Sequence, residues 1–159
     1  MSISYVDPRG PRFGAWVTTV VLSVVLLTGS AVLLAAQTVV FAIGAGFGLA
    51  YAPYGRLFRL VRRLTKLGPP AELEAEPPPR FAQAVGAGFG LVGTIGYATG
   101  VTALGVAATA LALAAAFLNA AFGFCLGCEI YLIARRALGR GAPLERVVPA
   151  RPTPEGSTV

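Results

Sequence analysis

Apolar residues fill two long stretches of this chain with almost nothing polar to interrupt them: Phe13 to Gly55 contains no charged side chain, and Phe81 to Ala134 contains only Glu129. As a single helix the first stretch would be about 65 Å long, roughly twice the ~30 Å hydrocarbon thickness of a bilayer, so it predicts two crossings. The second, about 80 Å on the same rise, predicts two more with an over-long or tilted last helix. The expected fold is all-α, a polytopic membrane protein with four transmembrane helices and short uncharged turns near Ala36 to Thr38 and near Gly100 to Gly105. The first span starts near Ala15, with Trp16 at the interface belt. The second runs from about Gln37 to Ala52 and stops at Pro53, which cannot continue a helix hydrogen-bond ladder.

Periodicity changes between the second and third spans. Tyr54, Leu57, Phe58, Val61 and Leu64 recur at helical spacing, while Arg56, Arg59, Arg63 and Lys66 fall on the opposite side. This pattern predicts an amphipathic helix lying on the lipid surface with those four cations at the headgroups. Gly68, Pro69 and Pro70 end it, and Glu72, Glu74, Glu76 and Pro77 to Pro79 read as an acidic, extended connector. The hexapeptide Gly-Ala-Gly-Phe-Gly-Leu occurs twice, at Gly44 to Leu49 and Gly86 to Leu91. No strand precedes either copy, so a dinucleotide-binding turn is excluded. Glycines four apart instead let helix backbones approach closely in lipid, and Gly44, Gly48, Gly86, Gly90, Gly96 and Gly100 are the expected packing positions. The Gly- and Ala-rich third and fourth spans point to a protein interior or an interface in a homo-oligomer.

Charge supplies the orientation. The 159 residues are 55% hydrophobic and 13% charged, with a net charge of +6. With four spans, all thirteen Lys and Arg residues lie on one side, which the bias of basic residues towards the cytoplasm makes the inside, so both termini are cytoplasmic. The expected organisation is a cytoplasmic N-terminus (1–14), a transmembrane domain (15–136) with a cytoplasmic loop (53–80), and a disordered cytoplasmic tail (137–159). The first apolar segment exceeds a signal-peptide core and is read as a retained span. Lipid orientation and anionic headgroups account for the positive charge, so no nucleic-acid partner is expected. With no histidine in the chain, a Ser-His-Asp triad and bis-histidine haem are excluded.

One constellation carries chemistry. Cys125 and Cys128, the only cysteines, are spaced i, i+3, and Glu129 follows directly. On one continuous fourth helix running to Arg136 the three share an arc of about 100° in the inner half of the membrane. A Cys-x-x-Cys pair switches between dithiol and disulfide, and Glu129 is placed to receive the proton that a thiol releases. Such chemistry requires water, because hydrocarbon around a thiol quenches its nucleophilicity. Cys128, nearer the interface, is the expected attacking sulfur. Plain packing of two small side chains competes with this reading. A metal site would need ligands from a second chain, and a structural disulfide is disfavoured facing a reducing cytoplasm. No cofactor is expected.

Four motifs carry a family resemblance: Ala-Pro-Tyr-Gly-Arg-Leu-Phe (Ala52 to Phe58), Leu-Gly-Pro-Pro-Ala-Glu-Leu-Glu (Leu67 to Glu74), Pro-Pro-Arg-Phe-Ala-Gln (Pro78 to Gln83) and Leu-Asn-Ala-Ala-Phe-Gly-Phe-Cys-Leu-Gly-Cys-Glu (Leu118 to Glu129). Together they resemble the bacterial integral-membrane domain of unknown function family forty-three ninety-five, over nearly the whole chain except the tail. The resemblance implies a multi-pass protein of the bacterial inner membrane, with thioredoxin-like or rhodanese-type sulfurtransferase proteins as company. The expectation is a thiol-redox or sulfur-relay protein in which Cys125, Cys128 and Glu129 serve a cytoplasmic thioredoxin or sulfurtransferase, with whether it is an enzyme left open. A small oligomeric transporter subunit for a sulfur compound, and a non-catalytic membrane anchor for a soluble enzyme, are the alternatives.

Overall fold

The computed structural model of the protein describes residues 5–139, so most of the expected cytoplasmic tail lies outside the described residues. Within them the chain is all-helical apart from one two-residue strand pair. The elements are β1 (Tyr5–Val6), α1 (Arg9–Thr28), α2 (Ala31–Gly46), α3 (Pro53–Leu64), β2 (Glu74–Ala75), α4 (Pro77–Ala98), α5 (Thr102–Phe122) and α6 (Leu126–Ala137). Three helices, α1, α4 and α5, are long and apolar enough to cross a membrane; α2 is a shorter apolar helix of 16 residues.

The four apolar helices pack in the order α1, α2, α4, α5 and back to α1, while α3 lies against α1, and α6 against α4 and the end of α5. Leu22, Val25, Leu34 and Ala112 form the buried centre, with Phe89 and Tyr97 packed on it. Small residues set the spacing. Gly90 faces Thr38, a Cβ on Gly93 would come within 2.7 Å of Leu34 Cδ2, and one on Gly96 within 2.6 Å of the Gly105 backbone nitrogen. Close approach of this kind replaces the hydrophobic drive that lipid cannot supply.

The turns fall elsewhere than hydropathy suggested. Gly29 (φ +63) closes α1, and Ser30 caps α2, its Oγ accepting the Leu33 N–H at 3.2 Å. The first turn is therefore at Gly29 and Ser30, not Ala36 to Thr38, because a left-handed glycine followed by a hydroxyl cap ends one helix and starts the next. The expected turn at Gly100 to Gly105 is confined to Thr99 to Val101 around Gly100 (φ +80), and Gly105 is buried inside α5. Nor is the acidic connector extended throughout. Glu74 and Ala75 pair with Val6 and Tyr5, and Pro77 to Pro79 form the first turn of α4, where prolines lose no hydrogen bond.

One end of the bundle gathers the basic residues. The β1–β2 pairing brings the start of α1 beside the start of α4. Arg80 donates from Nε and Nη2 to Ala45 O and from Nη2 to Gly46 O at 2.7–3.1 Å, so a cation meets the free carbonyls at the C-terminus of α2. At the same end Asp7 accepts both the backbone N–H and the guanidinium of Arg9.

Candidate functional site

The expected single fourth helix is two helices. α5 ends at Phe122, and Gly123 (φ +68) turns the backbone away, its N–H bonding Asn119 O at 3.0 Å. Arg12 reaches across from α1 and donates from Nε to Ala120 O and from Nη2 to Ala121 O, each at 3.1 Å. These carbonyls would otherwise be orphaned by the break, and a guanidinium also suits the negative end of the helix dipole. The chain then restarts at Cys125.

Cys125 is extended (φ −89°, ψ 96°) and occupies the N-cap of α6; its Sγ accepts the Cys128 N–H at 3.3 Å. The i, i+3 spacing thus joins an N-cap to the third helical residue, the geometry in which a Ser or Thr hydroxyl usually caps. This corrects the single-helix arc: Cys125 precedes the helix, and only Cys128 and Glu129 lie on it. The two sulfurs are joined as a disulfide, with the Cα atoms 5.2 Å apart, where the sequence disfavoured one. Both cysteines are half-buried. Glu129 is exposed in the first turn, where its charge complements the helix N-terminus, and it makes no ion pair to Arg135 or Arg136.

A glycine that sequence reading passed over fixes α6 in place. A Cβ on Gly127 would lie 2.6 Å from Ala82 Cβ and 2.7 Å from Ala82 Cα, so α6 crosses α4 with backbone almost touching side chain. One turn later Tyr131 packs on Phe81 (ring centroids 5.6 Å), and Arg135 stacks over Tyr131 at 5.9 Å. Leu126, Ile130 and Ile133 face outward on the other side of the helix. The signals for this arrangement, Gly123 before the cysteines and Gly127 between them, were present in the sequence but submerged in a glycine-rich chain.

The remaining predicted positions are distributed as follows. Arg56, Arg59, Arg63 and Lys66 are all exposed, the first three along α3 and Lys66 in the turn after it (φ +49). Inward, α3 presents Phe58, which packs on Phe13 (5.8 Å) and over Gly10. Gly44, Gly86, Gly90 and Gly96 sit at helix contacts, with Gly44 against Gln83 and Gly86 against Phe41. Gly48 and Gly100, expected at packing positions, lie in turns at positive φ. There Gly48 (φ +100) leaves room for the buried Glu76, whose Oε1 accepts the Leu49 N–H at 2.9 Å.

A buried polar chain also went unforeseen. Gln37, expected in a turn, is buried in α2; its Nε2 donates to Thr18 Oγ1 at 3.4 Å, and its Oε1 accepts from the Tyr54 hydroxyl. Burial pushes the Tyr54 phenol above its ordinary value, and the Gln37 hydrogen bond offsets part of that rise.

Fold and site together define an all-helical bundle of membrane-spanning proportions that carries a Cys-x-x-Cys disulfide at the start of α6, the last helix among the described residues. The chain belongs to the family described as Domain of unknown function (DUF4395), whose model matches residues 6–136. No curated protein and no solved structure matches it.

Proposed function

We propose that this is a bacterial inner-membrane thiol-redox protein whose Cys125–Cys128 pair exchanges electrons with a cytoplasmic thioredoxin-like protein or sulfurtransferase. The observation that carries this reading is the N-cap position of Cys125: its sulfur accepts the Cys128 N–H at the positive end of α6, a setting that stabilises a thiolate. Attack is accordingly assigned to Cys125, with Cys128 as the resolving thiol. In the reductive half, a partner thiolate attacks Cys125 Sγ, the Cys125–Cys128 bond breaks, and Cys128 leaves as a thiolate. A second partner thiol then displaces Cys125. Two electrons and two protons end on the pair, and the partner is left as a disulfide. Glu129, exposed one residue from Cys128, is the proton acceptor and donor of this exchange.

Arg12 supports access from water. Its guanidinium is bonded at Ala120 and Ala121, so a permanent charge marks the level at which α5 ends, and the cysteines follow it. In the proposed arrangement α1, α2, α4 and α5 cross the bilayer, with the 16-residue α2 accommodated by local thinning. The basic end faces the cytoplasm. α3 lies in the interface with Arg56, Arg59, Arg63 and Lys66 at the headgroups, and copies of the chain associate through lipid-exposed faces of the bundle.

The test is partner trapping in cells. Cys128→Ser leaves the attacking thiol without its resolving partner and is expected to accumulate a mixed disulfide that Cys125→Ser does not form. Recovery of no mixed disulfide from either variant, with both folded in the membrane, overturns the redox reading in favour of a non-catalytic anchor.

A further inference from the structure

Beneath α3, at the basic end of the bundle, lies a cavity of about 190 Å³ that no part of the redox reading uses. Its floor is apolar: Gly10 and Gly14 of α1, Val40 of α2, and Phe58 of the covering helix. Glycine leaves room here: a Cβ at Gly10 would press on the Phe58 ring at 3.3 Å, and one at Gly14 would sit in ordinary contact with Tyr54 at 3.7 Å, so that a longer side chain there would enter the cavity. The polar lining is asymmetric. Arg59 and Arg62 both contribute, against one carboxylate, Asp7. Asp7 is already saturated by Arg9 at 3.0 Å, and Arg62 stands 3.6 Å from it, an ion pair without a hydrogen bond. Arg59 is steadied by one bond to Ala50 O at 2.7 Å, which leaves its other donors free to turn to the cavity.

We infer that this cavity binds an amphiphilic anion, a phosphate or carboxylate on a short apolar chain, with its oxyanion between Arg59 and Arg62 and its chain on the floor of Gly10, Gly14, Val40 and Phe58. Two guanidiniums with unspent donors beside a single neutralised carboxylate leave net positive charge at the polar end of the cavity. Planar guanidiniums are the groups best matched to an oxyanion. The apolar floor then selects for an attached hydrocarbon over inorganic phosphate. An inner-leaflet phospholipid and a free alkyl phosphate share this chemistry.

The experiment uses the full chain in nanodiscs of neutral phosphatidylcholine. Native mass spectrometry measures binding of octyl phosphate and, separately, retention of phosphatidylglycerol added to the lipid. Losing two charge-assisted contacts in Arg59→Gln/Arg62→Gln is expected to weaken binding by about tenfold or more. Arg56→Gln/Arg63→Gln removes the same charge from α3 without touching the cavity, and is expected to leave octyl phosphate binding, the readout on which the two variants are compared, within about twofold, the scale of a surface charge effect. Gly14→Leu keeps every cation and fills the floor, so it is expected to abolish octyl phosphate binding. Octyl phosphate bound alone identifies a free anion as the ligand, and phosphatidylglycerol bound as well identifies lipid. Equal losses in the two double-arginine variants, or no binding of either probe by the unmodified chain, overturns the inference. An unchanged melting temperature in each variant separates lost binding from lost folding.

Discussion

At the scale of single residues, the decisive contacts are those in which one atom has no room to grow. Gly127 is such a position, because its missing Cβ faces the Cα and Cβ of Ala82, neither of which is the yielding end of a flexible side chain. Gly127→Ala is therefore expected to push α6 off α4 and to cost about 1–3 kcal/mol, as overpacking does elsewhere. A lowered melting temperature, with faster alkylation of the reduced cysteines, checks it; an unchanged melting temperature means that α6 is not seated as described. Asp7 makes a second residue-level case. Burial raises its carboxyl, but hydrogen bonds from the Arg9 side chain and backbone, with the charges of Arg9 and Arg62, more than reverse this and hold it below its ordinary 3.8. A lowered native value means that this stabilisation is complete above 3.8 and is lost as pH falls through the native value. Asp7→Asn is thus expected to lower stability at neutral pH by about 1 kcal/mol and to flatten the acid limb of the stability curve below pH 4. An acid limb identical to that of the unmodified chain refutes the assignment.

At the scale of elements, the instructive case is the join between α5 and α6. Hydropathy predicts one continuous fourth helix to Arg136 because Phe81 to Ala134 carries a single charge, and apolarity reports the solvent of a segment without reporting where its hydrogen bonds stop. The break depends on three features spread along the chain: a left-handed Gly123, a cysteine acting as N-cap, and Arg12, more than a hundred residues earlier, bonding the freed carbonyls. Only the first two are local, and a sulfur is a rarer cap than a hydroxyl. For the same reason the Gly29–Ser30 turn lies elsewhere than expected, whereas the start of α3 was legible to within a residue, since a switch from uniform to periodic hydrophobicity is a local signal; its end, expected just before Gly68, falls at Leu64. Residue types single out Cys125, Cys128 and Glu129 as candidates; that Cys125 caps α6 and is bonded to Cys128 was not legible. The join yields a prediction: Arg12→Gln, which loses the charge and part of the bonding, is expected to fray the end of α5 and slow the reaction of Cys125 with a thiol-specific reagent by about tenfold. Arg12→Lys, which restores the charge, is expected to recover part of the rate. Equal rates in all three chains refute a role for Arg12 in presenting the cysteines.

At the scale of the whole molecule, the distribution of charge and the packing of the helices make independent statements about the same axis. Thirteen basic residues and no charged residue in either turn at the other end give the molecule a polarity that the sequence carries without any fold. The structure reaches the same polarity by contact: Arg12 at the end of α5, Arg80 at the end of α2, and Asp7 with Arg9 and Arg62 beside the β1–β2 pair all fall at one end, while Gly29 meets Tyr97 at the other. Since a guanidinium is costly within hydrocarbon, an end that holds this many is the end that water reaches first, and the disulfide belongs to it. The consequence is testable on oriented vesicles. A membrane-impermeant maleimide is expected to label reduced Cys125 from the cytoplasmic face only, and in a cysteine-free background Thr99→Cys from the opposite face only. Because α1 to α6 form one packed unit, labelling of both positions from the same face contradicts the bundle axis itself, and labelling of each from the face opposite to that expected leaves the fold intact but reverses its orientation, removing the cytoplasmic partner on which the redox reading depends.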